Sequence, residues 1–330
     1  MREQLEKFGI SADRAELSLI TRGHLNITYE VKAPEGHFVL QKINTGVFTD
    51  PVGMMDNISA ALKEIPELWL VKAGDKDYLE DGTGFYRMYN FVKDSVCFDV
   101  LSDEDLAWRM GQGLQDFHNK LAVLDADRLC ETIPLFHDMR NRYRQLGDAV
   151  KADAYGRLKQ VEPELDFLLR DRKRGNMIND LYCVGAVRHV VTHNDAKLNN
   201  ILFSSMDGSY ITFIDLDTIM PGTILYDLGD MIRSGCSSAA EDEEDLEKVS
   251  FLRSYYEAIV DGYLSGNQKV THAERELFPE CGRMLLQITA VRFLADYLSG
   301  DVYFHTDYPE HNLVRCRNQI ALIQDRDRYL

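Results

Sequence analysis

Apolar residues in the first ninety positions recur at every second residue, the spacing of half-buried strands. LSLIT from Leu17, then ITYEVK and HFVLQKI, read as three strands rich in β-branched and aromatic residues, with Ala33-Pro34-Glu35-Gly36 as the turn between the last two. A helix is expected from about Asp50 to Lys63, and after the Gly82-Thr83-Gly84 turn FYRMYNFV reads as a further strand. Beyond residue 92 the period lengthens. Ser102 with Asp105 has the spacing of a capping box, and Ala107, Met110, Leu114, Phe117 and Leu121 then form one helix face. Phe251, Tyr255, Ile259 and Tyr263 repeat that spacing, as do Leu285, Ile288, Val291, Leu294 and Leu298. Only residues 188–217 interrupt it. There VRHVVT leads into the polar stretch HNDAKLNN, NILF follows, Asp207-Gly208 marks a turn, and YITFIDLD returns as a strand. The pattern divides the chain into a sheet region at 1–92 and a mainly helical region at 93–330.

Composition narrows the function classes. With 330 residues, 45% of them hydrophobic, the chain can bury a sizeable core. Neither an 18-residue apolar run nor the basic-then-apolar layout of a signal peptide is present, so a soluble, cytoplasmic protein is expected. Cys97, Cys130, Cys183, Cys236, Cys281 and Cys316 are scattered without zinc-ligand spacing and read as reduced packing residues. A net charge of −17 opposes nucleic acid and anionic membranes as partners, because either needs a basic face. An anionic ligand must therefore meet local cations or a metal ion. The acidic run EDEEDLE at 241–247 is expected to decorate a helix N-terminus.

The hairpin around Asp207-Gly208 brings the loop before its first strand to the end of its second, gathering Asp195, Asn200, Asp215 and Asp217. Asp215 and Asp217, two apart on a strand, are expected to face the same side. Such an oxygen-rich strand end suits Mg²⁺, with phosphate oxygens completing its shell. His193-x-Asp195, Asn200 five residues on and Asp215 fifteen further reproduce the layout of a kinase-type catalytic loop followed by a metal-binding Asp. In that layout Asp195 accepts the proton of the attacking hydroxyl, while Asn200 and Asp215 hold Mg²⁺ on ATP. Asp227 and Asp230 read as scaffold.

HNDAKLNN, IDLD and YDLGD resemble the aminoglycoside phosphotransferase and choline kinase branch of the protein-kinase-like fold. GHLNITYEV, LQKINTGVF, THNDAKLNNILF, IDLDTIMPGTILYDLGD and RFLADYLSGDVYFHTDYPEHNLVR are similar, over nearly the whole chain, to the N-acetylhexosamine 1-kinases. The resemblance implies an α+β, bilobal fold, with a small antiparallel-sheet N-lobe that binds nucleotide and a larger helical C-lobe for catalysis and sugar binding. It implies ATP-dependent phosphorylation of GlcNAc or GalNAc at the anomeric hydroxyl, with salvage of amino sugars as the setting. Asp195 matches the base, and Asn200 and Asp215 the metal ligands, with Asp217 as a second-metal candidate. Tyr89, Phe91 and Val92 fall on the segment whose backbone faces adenine, and Gln41 stands where a phosphate-pairing Lys is usual. His24 falls in the phosphate-covering loop within reach of the sugar, and Arg292 and Tyr303 line the sugar pocket.

The sequence departs from protein kinases in keeping only Gly23 of the glycine loop. Lys42 would point to the opposite face from Gln41, and Ser59 stands where the Lys partner Glu would be. An intrahelical Arg292–Asp296 ion pair is the plain alternative for Arg292. Rival readings are a same-fold kinase for an amino alcohol, homoserine-like or aminoglycoside acceptor, a glycosyltransferase using Asp215-Leu-Asp217, and a non-catalytic pseudokinase. Against a cationic acceptor, the C-terminal segment offers Arg292, Tyr303, Tyr308, His311 and Asn312.

Overall fold

The computed structural model describes residues 1–21, 25–266 and 269–330. Strands β1 (Glu16–Ile20), β2 (Ile27–Ala33), β3 (Gly36–Ile43), β4 (Leu79–Asp81) and β5 (Gly84–Asn90) form an antiparallel sheet in the order β1-β2-β3-β5-β4. Alternation sorts its side chains between two cores. Val31, Phe38, Leu40, Tyr86 and Met88 pack on one face with Leu5 and Phe8 near the N-terminus. Ile43, Phe85 and Tyr89 point the other way and join the main core of the molecule.

The helix Pro51–Ala61 starts where expected: Pro51 opens it, and the Asp50 side chain accepts from the Gly53 amide at 3.0 Å. Its buried Asn57 donates to the carbonyls of Cys130 (2.9 Å) and Ile219 (2.8 Å), fastening the sheet region to the helical region beneath it.

In the helical region, Glu104–Leu121 buries the face its spacing predicts, with Ala107, Met110, Leu114, Phe117 and Leu121 at most 1% exposed. Each large side chain so buried contributes about 1.5–3 kcal/mol. Its cap is Asp103, which accepts from Leu106 N at 2.9 Å; the expected Ser102 instead donates to Asp103. The helix Arg253–Leu264 crosses it at glycines, because a Cβ on Gly111 or Gly262 would lie 2.0 Å from a carbonyl of the opposite helix. The central helix Phe278–Leu298 is buried almost all round, between the helices Met139–Ala152, Ile224–Gly235 and His311–Arg326.

Two small sheets complete the floor between the regions. One orders β6 (Ser95–Val96), β8 (Ile201–Ser204) and β9 (Tyr210–Phe213); the other pairs β7 (Val190–Thr192) with β10 (Met220–Gly222). Gly208 turns the β8–β9 hairpin at φ +68°.

Two expectations change here. Residues 241–247 cap no α-helix: 241–245 are turns and bends, Asp245 caps the short 3₁₀ segment Leu246–Lys248, and Glu241 pairs with Arg233. The six cysteines are free thiols; Cys236, Cys281 and Cys316 are buried, but Cys183 is exposed. Among the described residues no helix is long and apolar enough to cross a membrane.

Candidate active site

The loop after β7 is built by buried polar groups. Asn194 adopts φ +63°, and its side-chain amide donates to the carbonyls of Thr218 (3.1 Å) and Met220 (3.3 Å). Asp227, wholly buried, accepts from the backbone amides of His193 (2.8 Å) and Asn194 (2.6 Å), and His118 Nε2 lies 2.8 Å away. His193 Nδ1 accepts from Asp195 N at 3.2 Å, so its Nε2 donates to Ile214 O at 2.9 Å. The backbone of Asp195 is thereby fixed relative to the end of β9.

Asp195 opens onto a cleft. Its Oδ2 accepts from Asn200 Nδ2 at 2.8 Å and from Lys197 Nζ at 2.9 Å. Burial pushes its pKa upward, but the Lys197 ammonium overcomes that and holds the carboxyl well below the usual range. Lys197 was present in the quoted loop and received no role from the sequence. The signal was its position two residues after Asp195.

Asp215 reaches the same cleft by a different route from the one expected. β9 ends at Phe213, Asp215 takes a left-handed conformation (φ +61°), and Asp217 lies in the 3₁₀ turn Leu216–Thr218. A turn, not strand alternation, brings both carboxylates to the cleft wall. Asp217 is engaged by Arg87, which pairs with it, and by Asn26 Nδ2 at 2.6 Å.

Asp215 has no hydrogen-bond partner within the protein among the described residues, although it sits deep in the cleft. That depth, then the Asp217 and Asp195 carboxylates, raise its pKa to about 6. A crowded carboxylate with open lone pairs, next to Asn200 whose amide nitrogen is committed to Asp195 and whose oxygen is not, fits a hard divalent cation. Metal entry must displace the proton from Asp215. Mg²⁺ or Mn²⁺ affinity without nucleotide is therefore expected to fall as pH drops through about 6, and Asp217→Asn to move that fall to lower pH. Calorimetric titration across that range checks both; an affinity indifferent to pH would contradict the assignment.

The residues expected around the nucleotide divide. Gln41 stands opposite Arg87 in the β3–β5 register, accepts from its Nε at 2.9 Å, and donates to Thr28 Oγ1 at 3.2 Å. Lys42 does face the other side, over the Tyr86 ring at 5.8 Å, and Ser59 bonds Asp77. The Tyr89 ring lies beside Arg87, 5.1 Å away. Phe91 stacks on His37 at 3.7 Å, and its amide is already spent on the His37 carbonyl at 2.9 Å. Asn90 N is spent on Trp69 O, and the Val92 carbonyl accepts from Ser95 Oγ at 2.7 Å. Neither Gln41, Tyr89, Phe91 nor Val92 lines the cavity that holds Asp195 and Asp215. His24 and Gly23 lie outside the described residues.

At its other end this cavity is basic and aromatic. Arg292 lies within 5.6 Å of the ring centroids of Phe136, Tyr303 and Phe304, and it lines the cavity together with them. The intrahelical pair with Asp296 does not form. Asp296 instead accepts from the amides of Val302 (3.0 Å), Tyr303 (2.9 Å) and Phe304 (3.0 Å) and from Asn312 Nδ2 (3.0 Å), pinning the loop that presents Tyr303. Tyr308, His311 and Asn312 are scaffold here and not lining: Tyr308 stacks on buried His311, and Asn312 bridges Asp296 and Asp301. Sequence reasoning missed Phe136, Arg142 and Arg315. Arg142 donates to Phe136 O, and burial followed by the Arg292 charge lowers its pKa, as expected of two guanidinium groups brought together. Arg315, on the cavity wall, donates to His305 O. Among the described residues Arg142, Arg292 and Arg315 are each without a carboxylate partner.

Residues 16–278 match the family model described as the phosphotransferase enzyme family. Solved structures of similar fold include an ethanolamine kinase of Plasmodium vivax, 16% identical, with TM-score 0.61 over 96% of this chain and 85% of that one. A choline kinase of Streptococcus pneumoniae is 16% identical, with TM-score 0.60 over 99% of both chains. A spectinomycin phosphotransferase in complex with ADP and spectinomycin is 13% identical, with TM-score 0.59 over 99% of this chain and 96% of that one.

Proposed function

The chain belongs to the phosphotransferase enzyme family, and from that premise we propose that it transfers the γ-phosphoryl group of ATP to the anomeric hydroxyl of an N-acetylhexosamine, GlcNAc or GalNAc. In this reading residues 1–92 bind the nucleotide, and residues 93–330 carry the catalytic loop and the sugar pocket. The sugar O1–H lies against Asp195, which Asn200 and Lys197 orient and which stays ionised to accept the proton. Asn200 and Asp215 would hold Mg²⁺, which would supply neutralisation of the charge developing on the phosphates. O1 attacks the γ-phosphorus, the bond from that phosphorus to the β,γ-bridging oxygen breaks and ADP leaves; the C1–O1 bond survives, so the anomer bound is the anomer produced.

The observation that carries the acceptor assignment is the pocket's basic end. Ethanolamine and choline, acceptors of the similar structures, are cations and would be repelled by guanidinium groups that form no ion pair with a carboxylate among the described residues. Neutral hydroxyls and an acetamide carbonyl accept hydrogen bonds from the Arg292 fork, and a sugar ring can pack on Tyr303 and Phe304. Arg292→Ala is expected to raise KM for the sugar about tenfold, the worth of one or two charge-assisted hydrogen bonds, with KM for ATP unchanged. A coupled ADP-release assay over both substrates checks this. Faster turnover of choline or ethanolamine than of GlcNAc and GalNAc would move the assignment to a cationic acceptor.

A further inference from the structure

Arg87 sits in the middle of β5, its side chain completely buried. A guanidinium group brought out of water is costly unless its donors find acceptors. Here Nε is satisfied by Gln41, whose amide is oriented in turn by Thr28, and Nη2 meets Asp217. Nη1 has no hydrogen-bond partner in the protein among the described residues. Asp217 lines the cavity beside Asp215, and Arg87 lies behind it, covered by that carboxylate. Asp217 has a second, independent holder in Asn26, which is itself fixed through the Asn44 amide at 2.9 Å. Releasing Arg87 would therefore not set Asp217 adrift.

We propose that Arg87 is the cation that binds the nucleotide phosphates, and that Asp217 is its placeholder in the nucleotide-free chain. Phosphate oxygens take the guanidinium, Nη1 included, and the freed Asp217 carboxylate turns to the divalent cation that accompanies the phosphates. Charges balance in the exchange: Arg87 trades the Asp217 carboxylate for a phosphate oxygen, and Asp217 trades Arg87 for the cation, which keeps its phosphate ligands. The proposal rests on nucleotide binding in this cleft and is independent of the acceptor assigned above. Failure of the sugar assignment would leave it standing, because its test uses no acceptor.

The test is a binding cycle with ADP in the presence of a chelator, so that no metal contributes, with adenosine as the control for an intact site. Arg87→Met is expected to weaken ADP at least about tenfold and adenosine less than about twofold, as for loss of a charged hydrogen bond to phosphate. Asp217→Asn, which removes the placeholder, is expected to tighten ADP about threefold or more, and this gain should vanish in R87M/D217N. Arg87→Lys should retain most of the affinity. It also covers the case in which R87M, leaving Asp217 buried without its partner, does not fold. Wild-type affinity for ADP in R87M, or in the double variant relative to D217N, would overturn the proposal. So would equal losses of ADP and adenosine, which mark a structural latch, or a D217N gain that persists without Arg87, which marks general repulsion.

Discussion

Asp195→Asn is expected to lower kcat by about 10²- to 10⁴-fold, the usual worth of a positioned carboxylate base. Asparagine keeps the shape and one acceptor oxygen for Asn200 and Lys197, so the loop keeps its hydrogen bonds. It cannot take up the acceptor proton. Removing this negative charge also relieves Asp215, which Asp195 helps to push up, so nucleotide and metal binding should not weaken. The effect falls on kcat and kcat/KM together, the mark of an interaction made in the transition state. Steady-state kinetics with calorimetry of Mg-ADP separates the two; normal turnover in the variant would remove Asp195 from the role of base.

Asp227→Ala is expected to cost the largest share of stability, about 3 kcal/mol or more. The carboxylate is fully buried and is the acceptor for two consecutive amides of the catalytic loop, with His118 bridging it to Tyr263 at 2.9 Å. Alanine leaves both amides without that acceptor and releases the turn that positions Asp195, so activity should fall with stability. Asp227→Asn, which keeps one acceptor oxygen, should lose roughly half as much. Urea unfolding of both variants checks the order. A loss below about 1 kcal/mol in Asp227→Ala would mean that the loop is held elsewhere.

Much of this architecture could be read from residue spacing. The face of Glu104–Leu121 was legible because five apolar positions over four turns leave a helix one way to bury them. The polar loop after β7 was legible because residues such as Asn and Asp interrupt that regime between two short strands. What could not be read depends on single dihedrals or on partners distant in sequence. Nothing local distinguishes a strand continuing through Ile214 and Asp215 from one that ends at Phe213 and turns left-handed. Ser102 and Asp103 are both good caps, and only the helix's first hydrogen bond decides between them. The four-residue separation from Arg292 offered Asp296 an ion pair as the plain alternative, but three amides of a loop beyond the helix end engage it instead. Arg87 gave one clue, a charge within the apolar strand FYRMYNFV, while its partner Asp217 lies 130 residues away in sequence.

The central claim, phosphoryl transfer to an anomeric hydroxyl with Asp195 as base, is tested most directly by ³¹P NMR of the protein with Mg-ATP and GlcNAc or GalNAc. The account predicts a sugar 1-phosphate resonance, with coupling to the anomeric proton, that grows as ADP forms and is nearly absent with Asp195→Asn. Phosphorylation at another hydroxyl, of choline alone, or of no acceptor despite ATP binding would contradict it.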